Sequence, residues 1–386
     1  MSSDSGYYPF ELTAEQQELV SQVRAFAQNE LLPLSREYDL KGEFPMQLFE
    51  RLVQMGLYAM NIPAEYGGRG ISRKTWMLVV EELARADAGF AFSFMVPGGH
   101  FRLFSIACQD ETSRRHFAQE LLSGKMAAFC LTDAGAGSDA SAVQTTAVYD
   151  PAADEYIISG TKGFITNGAL ASLYITAAMT DMGDGTQKIS LFLVERERGV
   201  KTGRTEDKLG LRLSNTAEVI FDHVRVPADH LLGKKGKGLS YCLRYMEQVR
   251  AMDSAFAVGI AQQALDLAVD YAKQRVTMGR PIIQHQAVSS LLANMQTDVD
   301  AMQCMVTQCA EMIDKGIALG TMACSSKLFV SESAVRVANA AIQVLGGRGY
   351  MRDCPAEKLL RDARIFSIFE GTNEIVRTVS AGLLAR

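Results

Sequence analysis

A chain of 386 residues, 48% apolar and 22% charged, holds enough material for two or three domains and a large buried core. Its formal charge of −5 offers no electrostatic attraction to nucleic acid or to anionic lipid, so neither is expected as a partner. Seven scattered cysteines with no CxxC or Cys/His spacing exclude the usual metal frameworks and read as reduced thiols of a cytoplasmic protein; no metal is expected.

The opening MSSDSGYYPFEL (1–12) has neither the basic nor the apolar stretch of a secretory leader. No run of roughly 18 uninterrupted apolar residues follows, so membrane insertion is not expected. Thr13-Ala-Glu-Gln16 has the form of a capping box and is followed by Leu19, Val20, Val23 and Phe26 at helical spacing, with Pro33 marking the end of that helix or its near vicinity. A second amphipathic pattern covers Leu48, Phe49, Leu52 and Val53. EYGGRG (65–70) is a turn, Ser72 can cap a third helix through Trp76, Val79, Val80 and Leu83, and Asp87-Ala-Gly89 breaks it. Past Lys125 the texture changes. Residues 126–132, 143–149, 155–159, 173–180, 189–194 and 217–227 are short β-branched runs separated by Gly, Asn and Asp. Strands without intervening helices predict an antiparallel sheet or barrel, not a βαβ fold. Helical periodicity returns within 238–275, 283–315, 318–345 and 370–385, and Ala257, Ala261, Ala264 and Ala268 share one helix side. The expected fold is α+β and multidomain: an N-terminal helical domain (1–124), a middle antiparallel β-barrel (125–235) and a C-terminal four-helix bundle (236–386).

Three motifs carry chemistry. LTDAGAGSD (131–139) follows a strand with small residues that allow a ligand close to the backbone, and with the hydroxyls of Thr132 and Ser138. It is neither a dinucleotide-fold turn nor a P-loop, and a plain Gly-rich turn remains an alternative. In GTKGFITNG (160–168), Phe164 lies two residues before Thr166, which on a strand puts an aromatic face and a hydroxyl on one side. That combination suits a flat ring system, though a hairpin with one buried Phe has the same sequence. The third motif runs from QVLGGRGY (343–350) to IFEGTNE (368–374). Its glycines expose backbone N–H groups, and Glu370 precedes a Gly-Thr that starts the last helix. Taken by itself, Glu370 could be a helix N-terminal charge.

In this order and at these separations the motifs resemble the acyl-CoA dehydrogenase family, over essentially the whole chain from Leu12. Arg275 with MGRP (278–281), and Asp353, Lys358 and Asp362 after the third motif, add to the match. The resemblance implies FAD as cofactor. Phe164 and Thr166 would lie against the flavin ring, and Phe129, Leu131 and Thr132 would border it. Gly137 and Ser138 would sit where the flavin phosphate and the pantetheine arm of the substrate come near. Arg275, Met278, Gln286, Gln343 and Gly347 match positions that hold the ADP half of FAD across a subunit boundary, so a homo-oligomer, a tetramer in the usual case, is implied. Thr372 and Glu374 are expected beside FAD, and Arg250 near CoA. Glu370 matches the base that takes the α-proton of an acyl-CoA thioester while the β-hydride passes to the flavin, giving the 2-enoyl-CoA. Some relatives carry the base at the position of Val249, where none is possible here.

The chain departs from the family pattern at Phe164 (usually Trp), Asp133 (usually Glu) and Ala134 (usually Pro), all tolerable changes. Asp253 stands where a small or apolar residue is usual. It reads either as a buried acid paired with an Arg or Lys, or as a contact for a polar acyl group or a water. The acyl end is expected to be walled by residues 90–95, including Ala91 and Met95, together with Val249, Phe369 and Gly371. The bulk of Phe92, Phe94 and Met95 favours a short, branched or cyclic acyl group. The five histidines read as surface or loop residues. An electron-transferring flavoprotein is the implied acceptor. An acyl-CoA oxidase, an enoyl-CoA reductase, and a non-enzymatic DNA-associated or scaffold protein of the same fold are the alternatives.

Overall fold

The computed structural model describes Tyr8 and residues 10–385, so the absence of a leader, read from residues 1–12, falls largely outside the described residues. Helix α1 (Ala14–Phe26) begins on the expected box, with Thr13 Oγ1 accepting from the Gln16 N–H and Gln16 Oε1 accepting from the Thr13 N–H. One π-type turn (Ala27–Leu31) then leads straight into α2 (Leu32–Lys41). Pro33 therefore stands near the end of α1, as the second residue of α2. In the first turn its missing N–H removes no intrahelical bond. Helices α3 (Met46–Gln54), α4 (Arg73–Ala107, capped by Ser72) and α5 (Glu111–Leu122) complete the helical first third. Within α4, Asp87 leaves helical geometry (φ −160°, ψ 110°), as the break in the pattern predicted, and its Oδ1 accepts from the Phe90 N–H to restart the helix.

The middle segment holds β1 (Ala127–Cys130), β2 (Thr146–Asp150), β3 (Glu155–Thr166), β4 (Leu173–Asp181), β5 (Gln187–Glu195), β6 (Lys201–Thr205), β7 (Thr216–Pro227) and β8 (Leu231–Leu232). They form one sheet in the order β6-β7-β3-β2-β4-β5-β8, with β1 also on β4. The expected antiparallel barrel is thus an open, mixed sheet. β1 and β2 both run parallel to β4, and β2 touches it through Thr146 and Met179 alone. The terminal strands β6 and β8 do not pair with each other. One is short and carries exposed Lys201 and Arg204, and the other has two residues, which blunts both edges. Register shifts on either side of Lys162 in β3 bulge the strand where the second motif lies.

The last third comprises α6 (Gly238–Met252), α7 (Ser254–Gln274), a small hairpin of β9 (Val276–Thr277) and β10 (Arg280–Pro281), α8 (Gln286–Asp314), α9 (Thr321–Leu345), α10 (Pro355–Ala363) and α11 (Asn373–Leu384). Periodicity alone predicted one uninterrupted stretch over 238–275, but the chain is jointed at Asp253. The Ser254 hydroxyl donates to the Arg250 carbonyl four residues back, a bond that bends helices. The Phe256 N–H then meets Asp253 O at three-residue spacing. The six alanines of α7, among them Ala257, Ala261, Ala264 and Ala268, are fully buried, and at Gly259 an added Cβ would stand 2.7 Å from Glu81 O and Ala84 Cβ, so α7 crosses α4 in close contact. Helix α9 is long and apolar enough to cross a membrane, but it packs against α7, α8, α10 and α11 as an interior helix.

The α4–α7 contact traps Glu81, whose carboxyl burial raises to about 8 despite a 2.7 Å hydrogen bond from Gln303. A carboxyl raised in this way binds its proton more tightly folded than unfolded. Its contribution is complete below the ordinary value of 4.5 and is lost as pH rises toward 8. Glu81→Gln should therefore raise Tm over wild type progressively from pH 6 to pH 9, read by thermal melts. An equal gain at every pH would contradict a protonated Glu81.

Candidate active site

The site begins with an unusual piece of backbone between α10 and α11. Glu370 (φ 57°) and Gly371 (φ 87°) are consecutive left-handed residues, and a non-Gly residue there stores strain. Two cations hold this corner from other helices. Arg250 Nε of α6 donates to Glu370 O at 2.9 Å, and Lys327 Nζ of α9 donates to Gly371 O at 2.8 Å. Lys327 also donates to Asn373 Oδ1 (2.6 Å), and Asn373 Nδ2 donates to Ser331 Oγ and to Glu332. Thr372 then caps α11 by accepting from the Ile375 N–H. Backbone carbonyls thus take up the cations, and the Glu370 side chain is left to line a small, partly open cavity with Arg250, Asp253, Ser254, Ala257, Lys327, Ser331, Phe366 and Phe369.

Burial raises the Glu370 carboxyl above the usual glutamate range, while Arg250 and Lys327 pull it back. Burial, with Arg250 beside it, lowers Lys327 to about 8. Asp253 is raised well above its ordinary value by burial and by the Glu370 charge. The paired-acid reading of Asp253 fails. Among the described residues its carboxyl has no ion pair and accepts no hydrogen bond, because both nearby cations are committed to carbonyls.

The first two motifs meet each other. The Gly163 N–H donates to Thr132 O at 3.0 Å, and Asp133 bridges to Lys162. Asp133 organises the loop by accepting from Gln144 N, Thr145 N, the Thr145 hydroxyl and buried Lys162. Burial works to raise its carboxyl, but those donors outweigh it and bring it down to about 2. Phe164, left-handed at φ 57° on the bulge, points its ring outward and is 68% exposed, beside half-buried Thr166. The buried-Phe hairpin is thereby excluded. The register shift between Lys162 and Ile165 puts Phe164 on a bulge, where the simple alternation used to predict a side shared with Thr166 no longer applies. Gly137 and Ser138 lie on the exposed loop, and no atom crowds Gly137 or Gly163.

The link from these motifs to Glu370 is a residue that periodicity did not single out. Tyr245 of α6 stands edge-on to Phe129 of β1 (ring centroids 5.9 Å apart) and within electrostatic reach of both Asp253 and Glu370. His100 of α4 bonds its hydroxyl through Nδ1 at 3.2 Å. His100 is buried, not a surface or loop residue as expected, and burial lowers it to about 3, so it stays neutral. Spacing offered a signal for the missed residues. Tyr245, Val249 and Asp253 are four apart on one helix side, and Lys327 and Ser331 interrupt an otherwise apolar stripe on α9.

Other expected residues fall elsewhere. Of the acyl wall, Phe369 lines the cavity and Phe92 stacks on it at 5.1 Å. Ala91 and Met95 are buried and Val249 half-buried, but none of the three lines it. Phe94 turns instead toward Phe49, Tyr58 and Phe90 in the N-terminal core. Gly371 contributes its carbonyl, while Glu374 lies exposed in the first turn of α11. Arg275, Met278, Gln286, Gln343 and Gly347 are exposed and remote from the cavity lining, with Met278 94% exposed.

Models of the N-terminal, middle and C-terminal domains of acyl-CoA dehydrogenases match residues 13–125, 128–224 and 236–384. The chain belongs to the acyl-CoA dehydrogenase family. It is 39% identical to an acyl-CoA dehydrogenase of Bacillus subtilis over 95% of this chain and 97% of that protein. It is 36% identical to a 3-(aryl)acrylate reductase of Clostridium sporogenes over 96% and 99%. Among solved structures it superposes on a butyryl-CoA dehydrogenase of Megasphaera elsdenii with a TM-score of 0.93 and 36% identity, covering 98% of this chain and all of the other. Members of this acyl-CoA dehydrogenase family are FAD oxidoreductases, and the residues present fit a flavin. An apolar ring left 68% exposed beside a hydroxyl offers a stacking face, and the glycines at 137 and 163 leave room for backbone approach.

Proposed function

We propose that this acyl-CoA dehydrogenase family member performs α,β-dehydrogenation of a short-chain, branched or cyclic acyl-CoA, with Glu370 removing the α-proton. The observation that carries this reading is a carboxylate without a partner among the described residues, raised in pKa and pinned by a left-handed backbone, facing a small cavity walled by Phe366 and Phe369. FAD, held by Phe164, Thr166, Leu131, Thr132 and the exposed ADP-site residues, supplies the hydride acceptor when bound. Desolvation by the two phenylalanines makes Glu370 a stronger base than it would be in water. Arg250 and Lys327 oppose that rise and favour its ionised form. The Glu370 N–H, which among the described residues has no backbone partner, is placed to donate to the thioester oxygen as negative charge builds there. We assign the exposed Arg275, Met278, Gln286, Gln343 and Gly347 to an FAD site completed by a second copy in a homotetramer, and the acceptor to an electron-transferring flavoprotein in the cytoplasm. The reductase name of the Clostridium sporogenes relative supports the reverse reaction as a second reading.

The test is anaerobic mixing of the purified yellow protein with butyryl-, isobutyryl-, cyclohexanecarboxyl- and palmitoyl-CoA. The flavin should bleach with the small and cyclic thioesters and hardly at all with palmitoyl-CoA. No bleaching with any of them would defeat the assignment, and fastest bleaching by palmitoyl-CoA would defeat the size argument. Rapid peroxide release in air would make the enzyme an oxidase.

A further inference from the structure

We propose that Asp253 is a specificity residue that recognises a hydroxyl on the far end of the acyl chain, so that the preferred substrate is a short hydroxyacyl-CoA. This rests on the acyl-CoA reading of the Glu370 cavity. Asp253 is 6% exposed, lines that cavity, and among the described residues meets no hydrogen-bond donor. Its carboxyl opens on the cavity, and a ligand that sealed the cavity without bonding it would leave it unsatisfied at a cost of roughly 1–3 kcal/mol. The neighbours Ala255 and Ala257 show that small apolar side chains fit this stretch of α7. Nor is the carboxyl there to build the joint between α6 and α7, because the Ser254 hydroxyl and the Asp253 backbone already do so. The cost is recovered if a bound molecule supplies the missing partner.

The lining selects that partner. An ammonium group would face Arg250 and Lys327 in the same cavity, and a carboxylate would face the Glu370 base, which must ionise to act. A neutral group avoids both penalties. Two carboxyl groups on one desolvated cavity do not both ionise freely, and burial together with the Glu370 charge pushes Asp253 toward its neutral form. A neutral carboxyl offers one donor and one acceptor, the complement of an alcohol. Beside it the Ser254 oxygen, already donating its proton to Arg250 O, can accept. Ala257, Phe366 and Phe369 supply apolar wall for the methylenes between hydroxyl and thioester.

The test compares 4-hydroxybutyryl-CoA with its methyl isostere pentanoyl-CoA, and 5-hydroxypentanoyl-CoA with hexanoyl-CoA, on the FAD-loaded protein. Wild type should favour a hydroxylated member in kcat/KM by at least about tenfold. Asp253→Val should abolish or reverse that ratio with flavin content and Tm retained. Asp253→Asn, which still donates and accepts, should keep most of it. The same pairs are titrated by calorimetry in the Glu370→Gln background, where binding is read without turnover. A hydroxyl preference in binding that Asp253→Val removes, in a wild type that bleaches with none of the four, would sink the dehydrogenase reading and leave the recognition site standing. A ratio unchanged by Asp253→Val in both assays, or a wild type that prefers the methyl isosteres, would overturn the proposal.

Discussion

Glu370→Gln should keep its flavin and its affinity for acyl-CoA yet lose flavin reduction by about 10²–10⁴-fold, the range that a positioned general base contributes. The substitution preserves the backbone bonds from Arg250 and Lys327 to the 370–371 corner, which involve carbonyls and not the side chain. Loss of rate is therefore not loss of fold, and retained flavin absorbance with a normal melt serves as the control. Bleaching at the wild-type rate would remove Glu370 from the mechanism. The pH profile gives a second reading. Burial raises Glu370 and the two cations lower it, so in wild type kcat/KM should climb through a limb lying above the usual glutamate range. Lys327→Met removes one lowering charge, and the limb should move to higher pH. A limb that stays in place or moves down would contradict the electrostatic assignment.

Lys358→Met should cost about 3–5 kcal/mol of stability in urea unfolding, the loss expected when one partner of a buried ionic cluster is deleted. Lys358 bonds Asp362 one turn along α10 and lies 3.0 Å from Asp87 at the break in α4. Asp87 also accepts from the Ser35 hydroxyl of α2, and Asp362 accepts from the Leu211 N–H in the loop before β7. All three thirds of the chain are tied at this point. With the lysine gone, only the Leu211 N–H is left to oppose the burial and the Asp87 charge that already push Asp362 up. A carboxyl so raised gives stability present at low pH and lost as pH rises, so the deficit should shrink on acidification. A loss below about 1 kcal/mol at neutral pH would mean that the cluster is dispensable.

The helix–sheet–helix order was legible because each third keeps one period over a long run. Closure of the sheet was not, since periodicity reports which face is buried and says nothing of which strand edges meet. Pro33 located the joint only to its neighbourhood for a related reason. Proline is excluded from helix interiors but favoured in first turns, and only the π-type turn before it shows which applies. Glu370 and the strand motifs were readable from spacing and family resemblance. Tyr245, His100 and Lys327 were not singled out, because a tyrosine, a histidine and a lysine within helices have many ordinary uses. What distinguishes them is contact between α4, α6, α9 and β1, and such long-range juxtaposition leaves no local trace. Asp253 was visible as an oddity. That it stands unpaired depends on Arg250 and Lys327 being engaged elsewhere, which is a tertiary fact.

The Asp87–Lys358–Asp362 cluster also sets an order of events during synthesis. At roughly 5–20 residues per second, tens of seconds separate the emergence of Asp87 from that of Lys358. Throughout that interval the kink of α4 carries a carboxylate whose buried counter-charge does not yet exist, and the close-packed face around Ala84 has no α7 to cover it. The helical first third therefore cannot reach its final packing while the ribosome is still making the sheet. It waits, with apolar surface open to chaperones or to misassociation, until the last helices arrive and the two ends of the chain close around one core.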